Sequence, residues 1–550
     1  MKKRKITLFS TCFVFWLVSI IFGKLIFSDD DLCLNFIAAG AYGPDSQYMI
    51  YSNILFGYFM KILYSIFPMV NCYLWFYLIG NLFSVFICSY IISHKLSDRA
   101  AIATCFVMNA LLFKDYYLNL EYTKNATFYG ITGFLILIHV INAEKIRWRN
   151  IVIASVFISF GCLCRGKAFL SIVPGFALAL AFLMFMKKEK LKRALIVFIP
   201  LFLCIIYLSA DYYAYRMNAD WNYFTEWNRI MTLKRDYGDY AFQWDSEEYV
   251  KAGITKVDFE MMDKWMCNDV EYFTLEKLQT MDRVGAAHKL DNPRLSMELV
   301  DDSFDAMGKD FTFSVLPLSF VIIAVFALIF ARKKLKLYIL ADCLFVFADY
   351  YYLSIGRRFR WHAECGIWLA AIMFALFFIM TFREKDILPK LFYIIIPVVA
   401  SAYILGTNVY SFTHEKQGKV VQDPDGTYYL FNELRNRDNL YVVGMMEAYL
   451  GLCGAENIFS INKADYKDYF YNTFNVGGWQ TPSPLSAYYP RLNGINSPIK
   501  ALPDREDLYY VDDGEDMGYM LVYLQEKYGP EIQVDWVEDI CDTSVWKFHR

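Results

Sequence analysis

Apolar residues in this chain are gathered into blocks. They lie at Ile6–Phe27 and at about 70–93, 100–113, 126–142, 151–164, 168–186, 194–210, 312–330, 337–355, 365–382 and 390–407. Each block is roughly 14–24 residues long, the scale of a helix crossing a hydrocarbon layer about 30 Å thick. Short basic clusters separate them, at Lys2–Lys5, Lys95–Arg99, Lys145–Arg149, Lys187–Arg193, Arg332–Lys336 and Arg383–Lys390. Cytoplasmic loops collect Lys and Arg, so an even number of spans must separate each cluster from the next. Two spans fit every interval. As one helix the stretch 151–186 would be about 54 Å long, so it must fold back, at Cys164-Arg-Gly-Lys167. The first block is too long for a signal-peptide core, and no small-x-small site precedes Ser28. The expectation is a polytopic α-helical membrane bundle of about eleven transmembrane helices. The N-terminus is cytoplasmic and the C-terminal region extracytoplasmic, as befits a multi-pass protein of the cell membrane.

The outer face then carries the loop 28–69, the segment Lys114–Asn125, the turn at Arg165, the loop 211–311, the turn Gly356–Glu364 and everything after about 408. Residues 1–407 read as the multipass unit with its two long loops, and residues 408–550 as an extracytoplasmic soluble α/β domain. In that domain Leu440–Val443, Leu508–Val511, Glu531–Val537 and Ser544–Phe548 have strand character, and Met517–Tyr528 reads as a helix stopped by Gly529-Pro530. The tail holds 12 Lys and Arg against 22 Asp and Glu, a net charge of about −10. In the loop 211–311, Trp221, Trp227, Trp244 and Trp265 could stack on sugars or fill a small core.

Composition narrows the classes. The chain is 57% hydrophobic and only 20% charged, with mean hydropathy +0.28, against about 45–50% apolar and about 25% charged for soluble domains. Lys and Arg (54) nearly balance Asp and Glu (57), which removes the basic face a nucleic-acid binder needs. The 13 cysteines show no metal-binding spacing. Cys453 and Cys541, both in the tail, are the pair that could join.

Three clusters could carry chemistry. Asp29-Asp30-Asp31 follows the first span. Adjacent carboxylates at a membrane boundary repel and are partly desolvated, which suits a general base or a metal ligand. They equally suit an acidic cap on a helix over 30–40. Gly356-Arg-Arg-Phe-Arg360 with His362 sits in a short outer turn, and arginine forks suit phosphate oxygens. Headgroup anchoring is the plain alternative. Arg165 and Lys167 fill the tight outer turn between the fifth and sixth spans, for phosphate or for a salt bridge to the acidic loops. An acid–base group beside cations on one face of a bundle describes transfer from a phosphorylated donor. Without an ATP motif, a lipid-anchored donor fits.

These residues resemble the GT-C superfamily of membrane glycosyltransferases, and most closely a bacterial group of multipass GT-C-like proteins. The likeness rests on Asp30-Asp31, Gly40, Asn53-Ile-Leu-Phe-Gly57, Leu63-Tyr64 and Phe67-Pro68 in the first loop. It continues through Glu121-Tyr-Thr-Lys-Asn-Ala126, Arg165, Gly356-Arg357 and Arg360, and more weakly Gly477-Gly-Trp479 with Ser483-Pro484. The resemblance implies an inverting transferase that moves a sugar from a polyprenyl-phosphate donor to a cell-surface glycan or protein acceptor. Asp30 and Asp31 are then the catalytic pair, and Arg357, Arg360 and Arg165 hold the donor phosphate. Asn53, Glu121, Lys167, Arg358 and His362 are candidate substrate contacts, and Asp31 is a candidate ligand for a divalent cation such as Mg or Mn. The partners are the lipid bilayer, the lipid donor and the acceptor, with no nucleic acid. The competing readings are a lipid-linked saccharide flippase, a repeat-unit polymerase and a non-enzymatic surface protein.

Overall fold

The computed structural model describes residues 2–23, 25–187, 191–235, 241–244, 246–285, 296–356, 359–382, 401–407, 430–444, 458–512, 514, 516–541 and 543–550. Among these, seven helices are long and apolar enough to cross a membrane: α1 (Lys2–Phe22), α4 (Cys72–Ile92), α6 (Tyr122–Asn142), α8 (Gly166–Met186), α9 (Leu191–Met217), α15 (Lys333–Ile355) and α16 (Trp361–Phe382). An eighth arises if α13 (Met297–Phe313) and α14 (Leu316–Phe330), bent by 107° at Ser314-Val315, form one span. The expected eleven is therefore not reached. The shortfall lies at the short blocks. α5 (Asp98–Leu112) has 15 residues and α7 (Trp148–Cys164) has 17, or about 22–26 Å of helix against about 30 Å of hydrocarbon. α5 runs into a buried π-helical turn, Phe113–Leu118. Most of the last block, 390–407, lies outside the described residues.

α6 is the centre of the bundle, packed by α4, α7, α8 and α16. Nearly all of its side chains are buried, as expected of a helix apolar on every side. α1 and α9 instead turn most of their surface outward. That suits helices whose free face meets lipid, because the bilayer accepts apolar side chains that water would not.

The first loop returns to the bundle through a very small sheet. β1 (Ile26–Phe27) pairs in parallel with β2 (Asn119–Leu120), with Phe27 opposite Leu120. α2 (Asp29–Ala39) starts immediately after β1. Ser28 caps it by accepting from the Asp31 N–H, and Gly40 ends it in the left-handed region at φ 82°, where glycine meets no Cβ penalty. α3 (Ile54–Ile66) is a short amphipathic helix, exposing Tyr58, Ile62 and Ile66 and burying Phe56, Met60 and Tyr64.

Beyond the bundle lies a five-stranded sheet of order β4 (Thr473–Asn475), β3 (Leu440–Val443), β5 (Leu508–Asp512), β7 (Thr543–His549), β6 (Gln533–Ile540). Three strands are parallel, and the two C-terminal ones form an antiparallel hairpin. Alternate residues face opposite ways. Tyr441, Val443, Val511 and Val545 join the core that continues into the bundle. Leu440, Val442, Phe474, Tyr510 and Phe548 join a second core. That second core also takes Trp227, Ile230 and Met231 of α10 (Ala219–Arg235), Phe259 and Met262 of α11 (Lys256–Asp263), Leu278 and Met281 of α12 (Leu275–Gly285), and Met520 and Leu524 of α17 (Met517–Tyr528). Helices of the 211–311 loop thus cover one face of the tail's sheet.

The join is made at Gly477. A Cβ there would lie 1.6 Å from the Trp265 carbonyl oxygen, and the next amide, of Gly478, donates to that same oxygen at 2.9 Å. Trp221 and Trp227 are buried, which makes them core residues and not sugar platforms. The Trp244 side chain and Cys453 lie outside the described residues.

Candidate functional site

The parallel β1–β2 bridge determines what meets what. It sets Ser28–Asp31, at the start of α2, against Glu121–Thr123, at the start of α6. Asp31 is fully buried. Its carboxylate accepts from the Ser28 hydroxyl (2.6 Å), the Tyr73 hydroxyl (2.8 Å) and the Tyr122 N–H (3.0 Å). It thereby takes up an orphan amide at the first turn of α6 and orients the hydroxyl that caps α2, at positive dipole ends that favour a carboxylate. Burial nevertheless dominates, and with the nearby Glu121 charge it raises the Asp31 carboxyl well above its ordinary range.

Asp30 sits one residue away and is half-buried. It accepts from the Tyr122 hydroxyl at 3.2 Å. The same phenol oxygen accepts from the Arg165 guanidinium, which also donates to Thr123 Oγ1 at 2.9 Å. The guanidinium lies over the Tyr122 ring at 4.6 Å and faces the Tyr51 ring at 5.5 Å. Arg165 is the single residue between α7 and α8, so the backbone fixes it closely. An acid and a cation separated in sequence by α3 to α7 thus share one tyrosine.

Glu121 is the N-cap position of α6, and its side chain makes no capping bond. It faces His362 instead, with Nδ1 at 3.0 Å. His362 opens α16. Its neighbour Trp361 donates from the indole N–H to Asp115 at 2.9 Å. Asp115 also accepts from Ser314 (2.8 Å) and lies 3.9 Å from Lys124 Nζ, both members of that pair being buried. The polar segment expected below the surface near residues 114–125 is therefore protein-lined and stitched to α13, α14 and α16.

The structure brings Asp30, Asp31, Glu121 and Arg165 into one network, with His362 attached through Glu121. Arg360 lies on the α15–α16 turn and lines a cavity beside Trp361. Arg357 and Arg358 lie outside the described residues. Asn53 caps α3, and its amide donates to the Tyr207 carbonyl at 2.8 Å, so both of its ends serve the protein. Lys167 is exposed on α8. Tyr122 and Thr123, which link acid to cation, belong to the polar stretch opening α6. Their sign in the sequence was a hydrogen-bonding run at the start of an otherwise apolar helix.

Asp31 does not fit a divalent cation, because both carboxylate oxygens already accept from protein donors in a sealed position. Among the described residues no group of three or more His, Cys, Asp or Glu is arranged to hold a metal.

No family model matches the chain, and no curated protein matches it. Among solved structures, the chain is similar to the archaeal oligosaccharyltransferase AglB from Archaeoglobus fulgidus in complex with an inhibitory peptide and a dolichol-phosphate. The identity is 11% and the TM-score 0.44, covering 94% of this chain and 70% of that one. It is also similar to ArnT from Cupriavidus metallidurans bound to undecaprenyl phosphate, at 11% identity and a TM-score of 0.42, covering 98% and 97%. The apo form of the Archaeoglobus fulgidus oligosaccharyltransferase matches at 10% identity and a TM-score of 0.37, over 94% and 71%.

Proposed function

We propose that the chain is a GT-C-type membrane glycosyltransferase. It moves a sugar from a polyprenyl-phosphate donor to a cell-surface glycan or protein acceptor on the extracytoplasmic face, with inversion. The observation that carries this reading is the Asp30–Tyr122–Arg165 relay, an acid–base group held beside a cation on the outer edge of a helical bundle.

In this reading Asp30 takes the proton of the acceptor hydroxyl as that oxygen attacks the anomeric carbon. The bond from the anomeric carbon to the phosphate oxygen breaks, and its electron pair leaves with polyprenyl phosphate. Arg165 and Arg360, with Arg357, balance the charge growing on that phosphate. Tyr122 sits between the two, donating to Asp30 and accepting from Arg165. Asp31 positions the start of α2 against α6. Glu121, His362, Lys167, Arg358 and Asn53 are the remaining substrate contacts or supports. No step runs through a divalent cation.

The tail packs on the first loop through backbone bonds from Asp468 and Phe470 to the Gly40 and Ala41 carbonyls (2.9 and 3.1 Å). In this reading the tail shapes acceptor access. The N-terminus is cytoplasmic and the tail external.

The test is a transfer assay on Asp30→Asn, which keeps shape and removes basicity. Turnover should vanish while polyprenyl-phosphate binding persists. Retained transfer in Asp30→Asn with loss in Glu121→Gln or Asp31→Asn would move the base to another carboxylate. Retained transfer in all three would end the glycosyltransferase reading.

A further inference from the structure

A cavity of about 390 Å³, within the size range of small-ligand sites, opens between α13 and the turn that leads into α16. It lies outside the Asp30 relay and adjoins it through Trp361, whose indole lines the cavity wall and bonds Asp115. Asp310 and Glu364 form part of its lining. Both are buried, at 1% and 3% exposure, and their side chains are in hydrogen-bond contact. Asp310 accepts from the Trp368 indole at 2.9 Å and from the Tyr350 hydroxyl. Glu364 keeps one carboxyl oxygen, Oε1, buried and without a hydrogen-bond partner. A buried acceptor left unmatched costs about 1–3 kcal/mol. Two touching carboxyl groups also repel unless a proton or a cation lies between them. The contact between the two holds a proton, so the pair keeps one negative charge, and that charge together with the unmatched oxygen favours a small cationic donor.

The rim is mixed in charge. Asp302, Asp305, Lys309 and Arg360 are exposed around it, with Phe313, Phe359 and Trp361 between. The buried end therefore asks for a cation, and Lys309 and Arg360 at the rim ask for an anion. α13 carries the cavity on one side and exposes Met297, Phe304 and Phe311, spaced seven residues apart, on another. Such an apolar stripe suits a helix lying in a membrane interface, which in this reading sets the cavity at headgroup level.

We propose that this cavity binds a ligand carrying an ammonium group beside a phosphate, with the ammonium on Asp310 and Glu364 and the phosphate on Lys309 and Arg360. Three N–H donors on one small cation satisfy Glu364 Oε1 and bridge the two carboxyl groups. Two sources present this chemistry at a membrane surface: an amino-sugar phosphate at the head of a lipid donor, and an ethanolamine-phosphate lipid headgroup. The inference deepens the transferase reading and rests on it for the ligand's role, not for its binding.

The experiment is calorimetric titration of the full chain, in phosphatidylcholine nanodiscs, with glucosamine 1-phosphate, phosphoethanolamine and glucose 1-phosphate. At least one amine phosphate should bind tenfold or more tightly than glucose 1-phosphate. Preference for glucosamine 1-phosphate assigns the cavity to a donor sugar, and preference for phosphoethanolamine to a lipid headgroup. Glu364→Gln should remove the preference for the amine, and Arg360→Ala, an exposed and structurally tolerant change, should weaken all three ligands. Equal binding of glucose 1-phosphate, no binding at all, or binding unmoved by Arg360→Ala overturns the proposal. Asp30→Asn should leave this binding unchanged, so failure of the transfer chemistry and failure of the cavity are read separately.

Discussion

Two buried carboxylate networks in this molecule look alike in composition and differ in closure. In the soluble part, Asp258 is nearly sealed, at 1% exposure, and is met by Lys527 at 3.0 Å, Lys277 at 3.3 Å, the Tyr272 hydroxyl at 3.0 Å and the Thr255 N–H at 3.0 Å. Close by, Asp269 accepts from the hydroxyls of Ser497 (2.6 Å), Tyr523 (2.8 Å) and Tyr528. These bonds join the 211–311 loop to the tail. At the bundle edge, Asp31 is equally sealed, but Asp30 beside it is half-buried and shares the Tyr122 phenol with Arg165. A network that spends its carboxylates on protein partners fastens two segments. One that interposes a neutral hydroxyl keeps acid and base distinct and within reach of a substrate.

The largest expected contrast is in turnover. Asp30→Asn should lower transfer by about 10²–10⁴-fold, the range for a general base, with the melting temperature held. Asp269→Asn should do the opposite, lowering the melting temperature while folded molecules keep their rate. Similar effects of the two changes on rate and stability would erase the distinction.

Next comes the lock itself. Asp258→Ala leaves Lys277 without its carboxylate and Lys527 with that of Glu526 alone, and should cost about 3–5 kcal/mol, as breaking a buried ion pair does. Hydrogen exchange over 256–285 and 517–528 in the full chain reads this, and unchanged protection there would refute it. Arg165→Ala should weaken polyprenyl-phosphate binding by about 1.5–3 kcal/mol, the range for a charged hydrogen bond. Unaltered binding would take Arg165 out of the donor site.

The smallest effect is a pH slope. Burial lowers the Lys277 amine to about 8. The unfolded chain, with an ordinary lysine near 10.5, then holds more protons between those two values, so this group makes stability rise with pH across that window. Its destabilising share is fully present below pH 8. Lys277→Met should remove that rise when unfolding is compared at pH 7.5 and 10. An identical slope in both proteins would count against it.

Much of this was visible in the residues. The α2 start at Asp29, the Gly40 stop, β3 at Leu440–Val443 and α17 at Met517–Tyr528 follow from caps, β-branched runs and a Gly-Pro break. The two weighed meanings of the acidic triplet divide by position. Asp31 is sealed in the first turn of α2, donating its N–H to the Ser28 cap, and Asp30 faces the relay. Other features left little local trace. β1 and β2 are two residues each, too short for any periodicity, and only their pairing joins Asp30 to Tyr122. The shared core of the loop and the tail comes from contacts more than 200 residues apart, such as Asp269 with Ser497, which no local window reports. Among the described residues the span count falls short where apolar length and helix length part company, as at Phe113–Leu118, whose π-helical turn buries a lysine and an aspartate.

The β1–β2 bridge has a consequence for the cell. β1 follows closely on the end of α1 in the sequence, so Asp30, the base of the proposed transfer, is carried at the outer end of the first span. A thicker or thinner bilayer that shifts or tilts that span moves Asp30 relative to the plane in which a lipid donor floats. In the proposed transferase, membrane thickness would thereby act as a rheostat on turnover.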